Sequence, residues 1–292
     1  ITHVGIRSYV VGATTYTDQF FDGYLAEVHF IDGTALDADS FGETDSTTNQ
    51  WKPIEYSGSY GTNGFYLKFQ DSASLGDDSS GNTNDFTVTN LAATDQMEDT
   101  PSNNWCTWNG ILGPDSSARV PATLSEGNLK ASQSSDAAAA RSTIHMESGK
   151  WYAEIYLNDK GGDGTFGWGC GNSSLLVYNS GQTKYDSDGE SINWASTLTN
   201  GDVLMIAFDA ATGYVWYGVN DSWYNSGDPA NGTNQASTVP TTSMPAYFKL
   251  GSNGSTAMAS VANFGQDSSF AGNLTAQGNQ DDNEIGDFYY EP

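Results

Sequence analysis

Turn chemistry interrupts this chain so often that long helices have nowhere to form. Five Asn-Gly pairs, beginning at Asn63, Asn109, Asn200, Asn231 and Asn253, supply residues that accept positive φ in tight turns. No stretch carries an apolar stripe at i, i+3, i+4, i+7 over three turns. The strongest local helix former, residues 136–141 (DAAAAR), is too short to be stable alone. Between the turns the apolar runs have strand character. In residues 150–157 (KWYAEIYL), Trp151, Ala153, Ile155 and Leu157 fall on one face, and Tyr152, Glu154 and Tyr156 fall on the other. Residues 203–208 (VLMIAF) are continuously apolar and are expected to form a central strand covered on both sides. Residues 214–219 (YVWYGV) follow a turn ending at Gly213, which predicts a hairpin. The pattern specifies an all-β protein of antiparallel sandwiches.

The 292 residues suffice for two such bodies. A boundary is expected in residues 90–104 (NLAATDQMEDTPSNN), which are polar, contain Pro101 and show no period. Before it, strand candidates lie at 3–7, 24–31, 65–69 and 86–89, too few to close a sandwich without pairing from neighbouring sequence or another chain. The expected division is a partial β region at 1–95, a linker at 96–104, a sandwich at 105–272 and an acidic tail at 273–292. Within that tail, residues 278–287 (GNQDDNEIGD) are expected to be loosely ordered. The sequence starts without Met in a strand-like segment and stops at Pro292, which reads as a fragment of a longer protein.

Charge removes several classes of partner. Ten Lys and Arg stand against 36 Asp and Glu, a formal net charge of −26. Nucleic-acid binding requires cations that displace phosphate counterions, and an anionic membrane surface repels such a chain. In a saline exterior the self-repulsion between copies is screened, to about 3 Å near 1 M salt. No apolar run is long enough to span a bilayer. Cys106 and Cys170 form no disulfide framework or metal spacing and are expected to be half-buried free thiols.

The candidate chemistry is sparse. Residues 162–167 (GDGTFG) match GxGxxG formally, but a glycine-rich strand follows where the dinucleotide fingerprint needs a helix, so the segment reads as a hairpin turn. Sandwich glycosidases aim paired carboxylates from one strand face. Here Glu27 and His29 share a face while Asp32 has the opposite parity, and Glu154 stands alone on its strand. No nucleophile elbow and no HExxH motif occur. No catalytic residue is assigned and no enzymatic activity is expected. Asp159, Asp163, Asp186 and Asp188 are weak calcium candidates in acidic turns, since calcium wants six to eight oxygens. None has the spacing of a dedicated loop, and solvated turns are the favoured reading; no cofactor is assigned. Trp151, Trp168, Phe208 and Trp216 are expected to serve the core or its flanks. Tyr178, Tyr185, Trp194, Trp223 and Tyr224 lie among small polar residues in expected loops, where exposed rings suit ligand contact and carbohydrate stacking.

Residues 105–265 resemble the SPRY family. The resemblance rests on the segments 149–156 (GKWYAEIY), 166–171 (FGWGCG), 201–209 (GDVLMIAFD), 213–220 (GYVWYGVN), 245–250 (PAYFKL) and 261–265 (VANFG), in that order. It implies a bent β-sandwich that binds partners through loops. Where family members turn on a short Asn-Gly after the hairpin, this chain has residues 220–225 (NDSWYN) and then a long polar loop. Residues 21–33 (FDGYLAEVHFIDG) resemble the closing strands of a concanavalin A/laminin-G-like domain of jelly-roll type, and residues 78–86 (DSSGNTNDF) resemble the opening turn of another. The whole succession is similar to tail-fibre or fibre-like proteins of marine tailed phages. That resemblance implies tandem sandwiches on a virion surface, other virion proteins as partners, a homo-oligomer such as a trimer, and a host-surface glycan or receptor as ligand. A purely architectural spacer and a polysaccharide-degrading tailspike are the alternatives, and the short-turn solenoid that would favour the latter is missing from this sequence.

Overall fold

The computed structural model describes residues 7–11, 14–18, 25–44, 46, 51–96, 105–110, 120–134, 138–161, 164–170, 173–178, 182–185, 191–193, 198–238, 246–252, 257–282 and 284–292. Among them there is no α-helix, only strands and three short 3-10 turns, as the turn-rich sequence requires. Among the described residues no helix is long and apolar enough to cross a membrane. The chain divides into two compact units, residues 1–96 and 97–292.

The first unit is a set of two-stranded ribbons. Strands β1 (Arg7–Val11) and β2 (Thr14–Asp18) pair in an antiparallel hairpin. Next come β3 (Val28–Phe30), β4 (Gly42–Thr44), β5 (Trp51–Pro53) and β6 (Phe65–Leu67), with β3 paired to β6 and β4 to β5. Of the predicted strands, 3–6 lie outside the described residues, 24–31 and 65–69 shrink to β3 and β6, and 86–89 forms none. Phe86 instead donates its N–H to the Gly76 carbonyl and sets its ring edge-on to Phe65 at 4.8 Å. Tyr60, Phe65, Tyr66, Leu67 and Leu75 are buried, a small core for ribbons this short.

Asp78 fastens this unit. Its Oδ1 accepts the N–H groups of Tyr66 and Ser80, and its Oδ2 accepts Ser80 Oγ and the N–H of Asn84. Asn82 and Asn84 then donate to carbonyls at Gly61, Thr62 and Gly64. The acidic loop is thus saturated by the chain's own donors.

The second unit is a two-sheet sandwich. Its strands are β7 (Val120–Pro121), β8 (Thr123–Ser125), β9 (Lys130–Gln133), β10 (Ala138–Arg141), β11 (Lys150–Asp159), β12 (Gly164–Cys170), β13 (Ser173–Tyr178), β14 (Gln182–Tyr185), β15 (Ser191–Asn193), β16 (Val203–Asp209), β17 (Tyr214–Val219), β18 (Ser222–Trp223), β19 (Ser237–Thr238), β20 (Ala246–Ser252) and β21 (Met258–Asn263). One sheet runs β15-β14-β13-β12-β20-β10-β7, and the other runs β18-β17-β16-β11-β21-β9-β8 with β19 also on β17. All pairs are antiparallel except β10 with β7. The alanine-rich stretch 138–141 is therefore a strand. Its partner β20 supplies the backbone hydrogen bonds that an isolated short helix lacks.

Alternation placed the core correctly. Ala153, Ile155 and Leu157 of β11 meet Leu204, Ile206 and Phe208 of β16 and Val215 and Tyr217 of β17 in one buried cluster. Strand β16 lies between β11 and β17 with Val203 to Phe208 buried, the expected central strand, and β16–β17 is the expected hairpin. The GxGxxG segment departs from expectation. It joins no hairpin, because β11 and β12 belong to different sheets; residues 162–163 themselves lie outside the described residues. Cys106 is buried, and burial pushes its thiol upward; the Cys170 side chain lies outside the described residues.

Candidate functional site

The outer face of the β16-containing sheet is covered by two pieces of chain, and those coverings bring the candidate residues together. Between β17 and β18 the chain reverses through Asn220 and Asp221, with φ of 48° and 64°. Positive φ at both central positions defines the primed two-residue turn that matches strand twist. Asn220-Asp221 thus does what an Asn-Gly pair does elsewhere. Asn220 is further held because its Oδ1 accepts the Val203 N–H at 2.9 Å and its Nδ2 donates to Asp202 at 2.8 Å.

The turn delivers Trp223 to the edge strand β18 and Tyr224 to the 3-10 turn Tyr224–Ser226 that follows. Both side chains are half-buried. Trp223 packs edge-on to Tyr152 of β11 at 6.3 Å. It also lies over Gly218, where an added Cβ would meet its Cε3 at 3.1 Å. The loop beyond is built rather than loose. Asp228 and Thr233 exchange backbone hydrogen bonds at 3.0 Å, and Asp228 accepts both the backbone and side-chain N–H of Asn231. Those bonds hold the Asp228 carboxyl below its ordinary range. Asn234 donates to the Ser226 carbonyl, and the Trp216 indole donates to the Thr233 carbonyl at 2.8 Å. Trp216 therefore flanks the core as expected, sealed by this loop.

The second covering is the C-terminal segment. Glu154 points out from β11 yet is fully buried, because residues 287–290 lie over it. Its Oε1 accepts Tyr152 Oη at 2.9 Å and the Tyr290 N–H at 2.7 Å. Its Oε2 accepts the Tyr289 N–H at 2.9 Å and Asn263 Nδ2 at 3.1 Å. Burial raises the Glu154 carboxyl above its usual value, although the four donors pull the other way. Tyr152, half-buried beside this carboxylate, is pushed well above the ordinary phenol range by desolvation and by the Glu154 charge. Asn279 and Phe288 bond to each other through the backbone, and Phe288 is buried against Tyr152 at 5.1 Å. The end of the acidic segment, where Gly286 is buried and the Asp287 N–H bonds the Gly265 carbonyl, is packed against the sandwich, contrary to the loose tail expected, because the Glu154 carboxylate captures the backbone of Tyr289 and Tyr290 just beyond it; Gly278, Gln280, Asp282, Glu284 and Ile285 stay exposed. In the sequence, an isolated glutamate on the outward face of a strand was the signal for this clamp.

The other expected site residues are dispersed. Tyr178 closes β13 opposite Thr165, and Tyr185 closes β14 opposite Leu175. Both are strand residues of the other sheet rather than loop residues, and their side chains, like Trp194, lie outside the described residues. Asp159 ends β11 half-buried, and its Oδ1 accepts the Gly161 N–H at 3.0 Å; Asp163, Asp186 and Asp188 lie outside the described residues. Among the described residues no cluster of three metal-ligating side chains occurs.

In the first unit, Glu27 accepts the Tyr66 hydroxyl at 3.1 Å, while Asp32 accepts the backbone and side-chain N–H of Asn63. His29 stacks on Tyr66 at 4.1 Å and bonds through Nδ1 to the Tyr60 hydroxyl at 2.8 Å. The two carboxylates are engaged with different partners.

Fold and site together define an all-β protein whose second unit is a two-sheet sandwich with an aromatic hairpin at one sheet edge. No family model and no curated protein matches the chain. Among solved structures it is similar to the SPRY domain of human HERC1, with 15% identity and a TM-score of 0.39 over 48% of this chain and 91% of that one.

Proposed function

We propose that this chain is a non-enzymatic module of a phage fibre or tail, displayed on the virion surface, that contacts host-surface glycan or receptor through the β17–β18 hairpin. The observation that carries this reading is the pair Trp223 and Tyr224. Both rings retain solvent access at a sheet edge, on a turn fixed by Asn220 and Asp221. A ring held in place before binding loses little entropy on stacking against a sugar face. Nearby Asn225, Asn231 and Asp228 supply amide and carboxylate groups of the kind that bond hydroxyls. Weak single sites suffice on a fibre, where many copies act together. The net charge of −26 favours a neutral or cation-bearing target over an anionic polysaccharide.

The architectural alternative draws on a different observation: the chain's own segment 287–290 lies over Glu154 on the outer face of β11 and closes that place to partners. Adsorption to host cells and a glycan array, run with wild type and Trp223→Ala/Tyr224→Ala, separates the two. Loss of adsorption in a folded variant supports binding through the hairpin; equal adsorption supports the spacer.

A further inference from the structure

A cavity of ≈ 160 Å³ opens in the second unit where β11 begins. Its floor is the buried Cys106, Met146, Phe248 and Phe264, and its mouth is the half-buried Trp105, Ile144, Trp151 and Tyr152. Five of these eight residues are aromatic, and none carries a charge.

We propose that this cavity is a binding site for a quaternary ammonium head, a trimethylammonium group whose substituent remains in solvent at the mouth. Three features select that chemistry. The size fits, since a void of about 150 Å³ takes a benzene-sized guest. The wall offers π-faces and two soft sulfurs but no carboxylate, so a primary ammonium finds no anionic acceptor among the lining side chains. A quaternary ammonium has no N–H to satisfy and gains attraction from each ring it faces. The third feature is electronic. The Tyr152 hydroxyl donates to Glu154 at 2.9 Å, which makes that ring richer in electrons, and the chain's charge of −26 draws cations toward the mouth. A neutral apolar guest would gain from burial alone.

The test titrates the full chain with choline and with its neutral carbon isostere, in which a tert-butyl group replaces trimethylammonium. Tryptophan emission and the Met146 methyl resonance report occupancy. Choline is expected to bind at least tenfold more tightly than the isostere, and Trp151→Leu is expected to weaken choline roughly tenfold with little effect on the isostere. Near-UV circular dichroism checks the variant's fold, and Trp105→Leu serves as a second ring deletion should Trp151→Leu be disordered. Equal affinity for the two ligands, no binding of either, or choline binding unmoved by a folded ring deletion each overturns the proposal.

Discussion

Removing the Glu154 carboxylate should release the C-terminal segment from the sandwich. Glu154→Ala deletes the acceptor for Tyr289 N–H, Tyr290 N–H and Tyr152 Oη, while Asn263 retains its second bond to the Asp287 carbonyl. Leaving a buried donor unbonded costs about 1–3 kcal/mol each, but the chain can avoid that sum by letting the segment detach. Detachment exposes Phe288, 4% exposed in the native form, at about 1.5–3 kcal/mol, and gives up the bonds with it. The cheaper route sets the effect at roughly 3–4 kcal/mol. Glu154→Gln keeps one acceptor oxygen but turns an N–H₂ toward a donor, so about 1–2 kcal/mol is expected. Urea unfolding of the full chain measures the loss, and hydrogen exchange at the Tyr289 and Tyr290 amides locates it. A Glu154→Ala protein within about 0.5 kcal/mol of wild type, with those two amides still slow, refutes the reasoning. Acid adds a signed check. Glu154 is raised above its ordinary 4.5, so the folded form binds that proton more tightly than the unfolded form. Wild type should therefore gain on Glu154→Gln as pH falls toward 4.5, and lose that gain as pH rises through the folded value.

Asp78 should behave in the opposite sense. Although burial alone would raise it, its hydrogen bonds outweigh that and hold it below 3.8, so Asp78→Asn should lower the urea midpoint of the first unit at neutral pH, with the gap closing as pH falls through the folded value. His29 is lowered from 6.5 by burial, partly offset by Glu27, so its NMR titration midpoint should fall below that figure; a midpoint above it would contradict the stacked placement on Tyr66. At Gly64 an added Cβ would run into the Tyr60 carbonyl oxygen, which cannot swing away. Gly64→Ala should cost at least about 2 kcal/mol in the first unit, read by urea unfolding, whereas a neutral effect would mean that the turn is misplaced.

Alternation in the sequence tells which residues of β11 face inward, and Ala153, Ile155 and Leu157 follow it, while the continuous apolar run of β16 marks Val203 to Phe208 as buried on both faces. It is silent about what lies on the opposite face. Glu154 looks like a solvated outward residue until the segment 287–290, well over a hundred positions away, is laid across it. Pairings of long range were equally illegible: β11 lies beside β21, and β10 lies beside β20, with no local signal in either. The crossing from β11 to β12 looked like a hairpin because glycine-rich turns serve both purposes. For the site, the aromatic residues at 223 and 224 were visible by composition. The turn that positions them was not, since Asn220-Asp221 takes the conformation usually reserved for Asn-Gly through side-chain bonds to Val203 and Asp202.

The most direct measurement of the functional claim is hydroxyl-radical footprinting of the full chain with and without isolated host envelope material. Aromatic side chains report their own solvent access, so contact and remote folding changes separate residue by residue. The account predicts protection at Trp223 and Tyr224, with Trp51 of the first unit, 51% exposed, unchanged. Protection confined to other residues, or none at saturating envelope material, contradicts it.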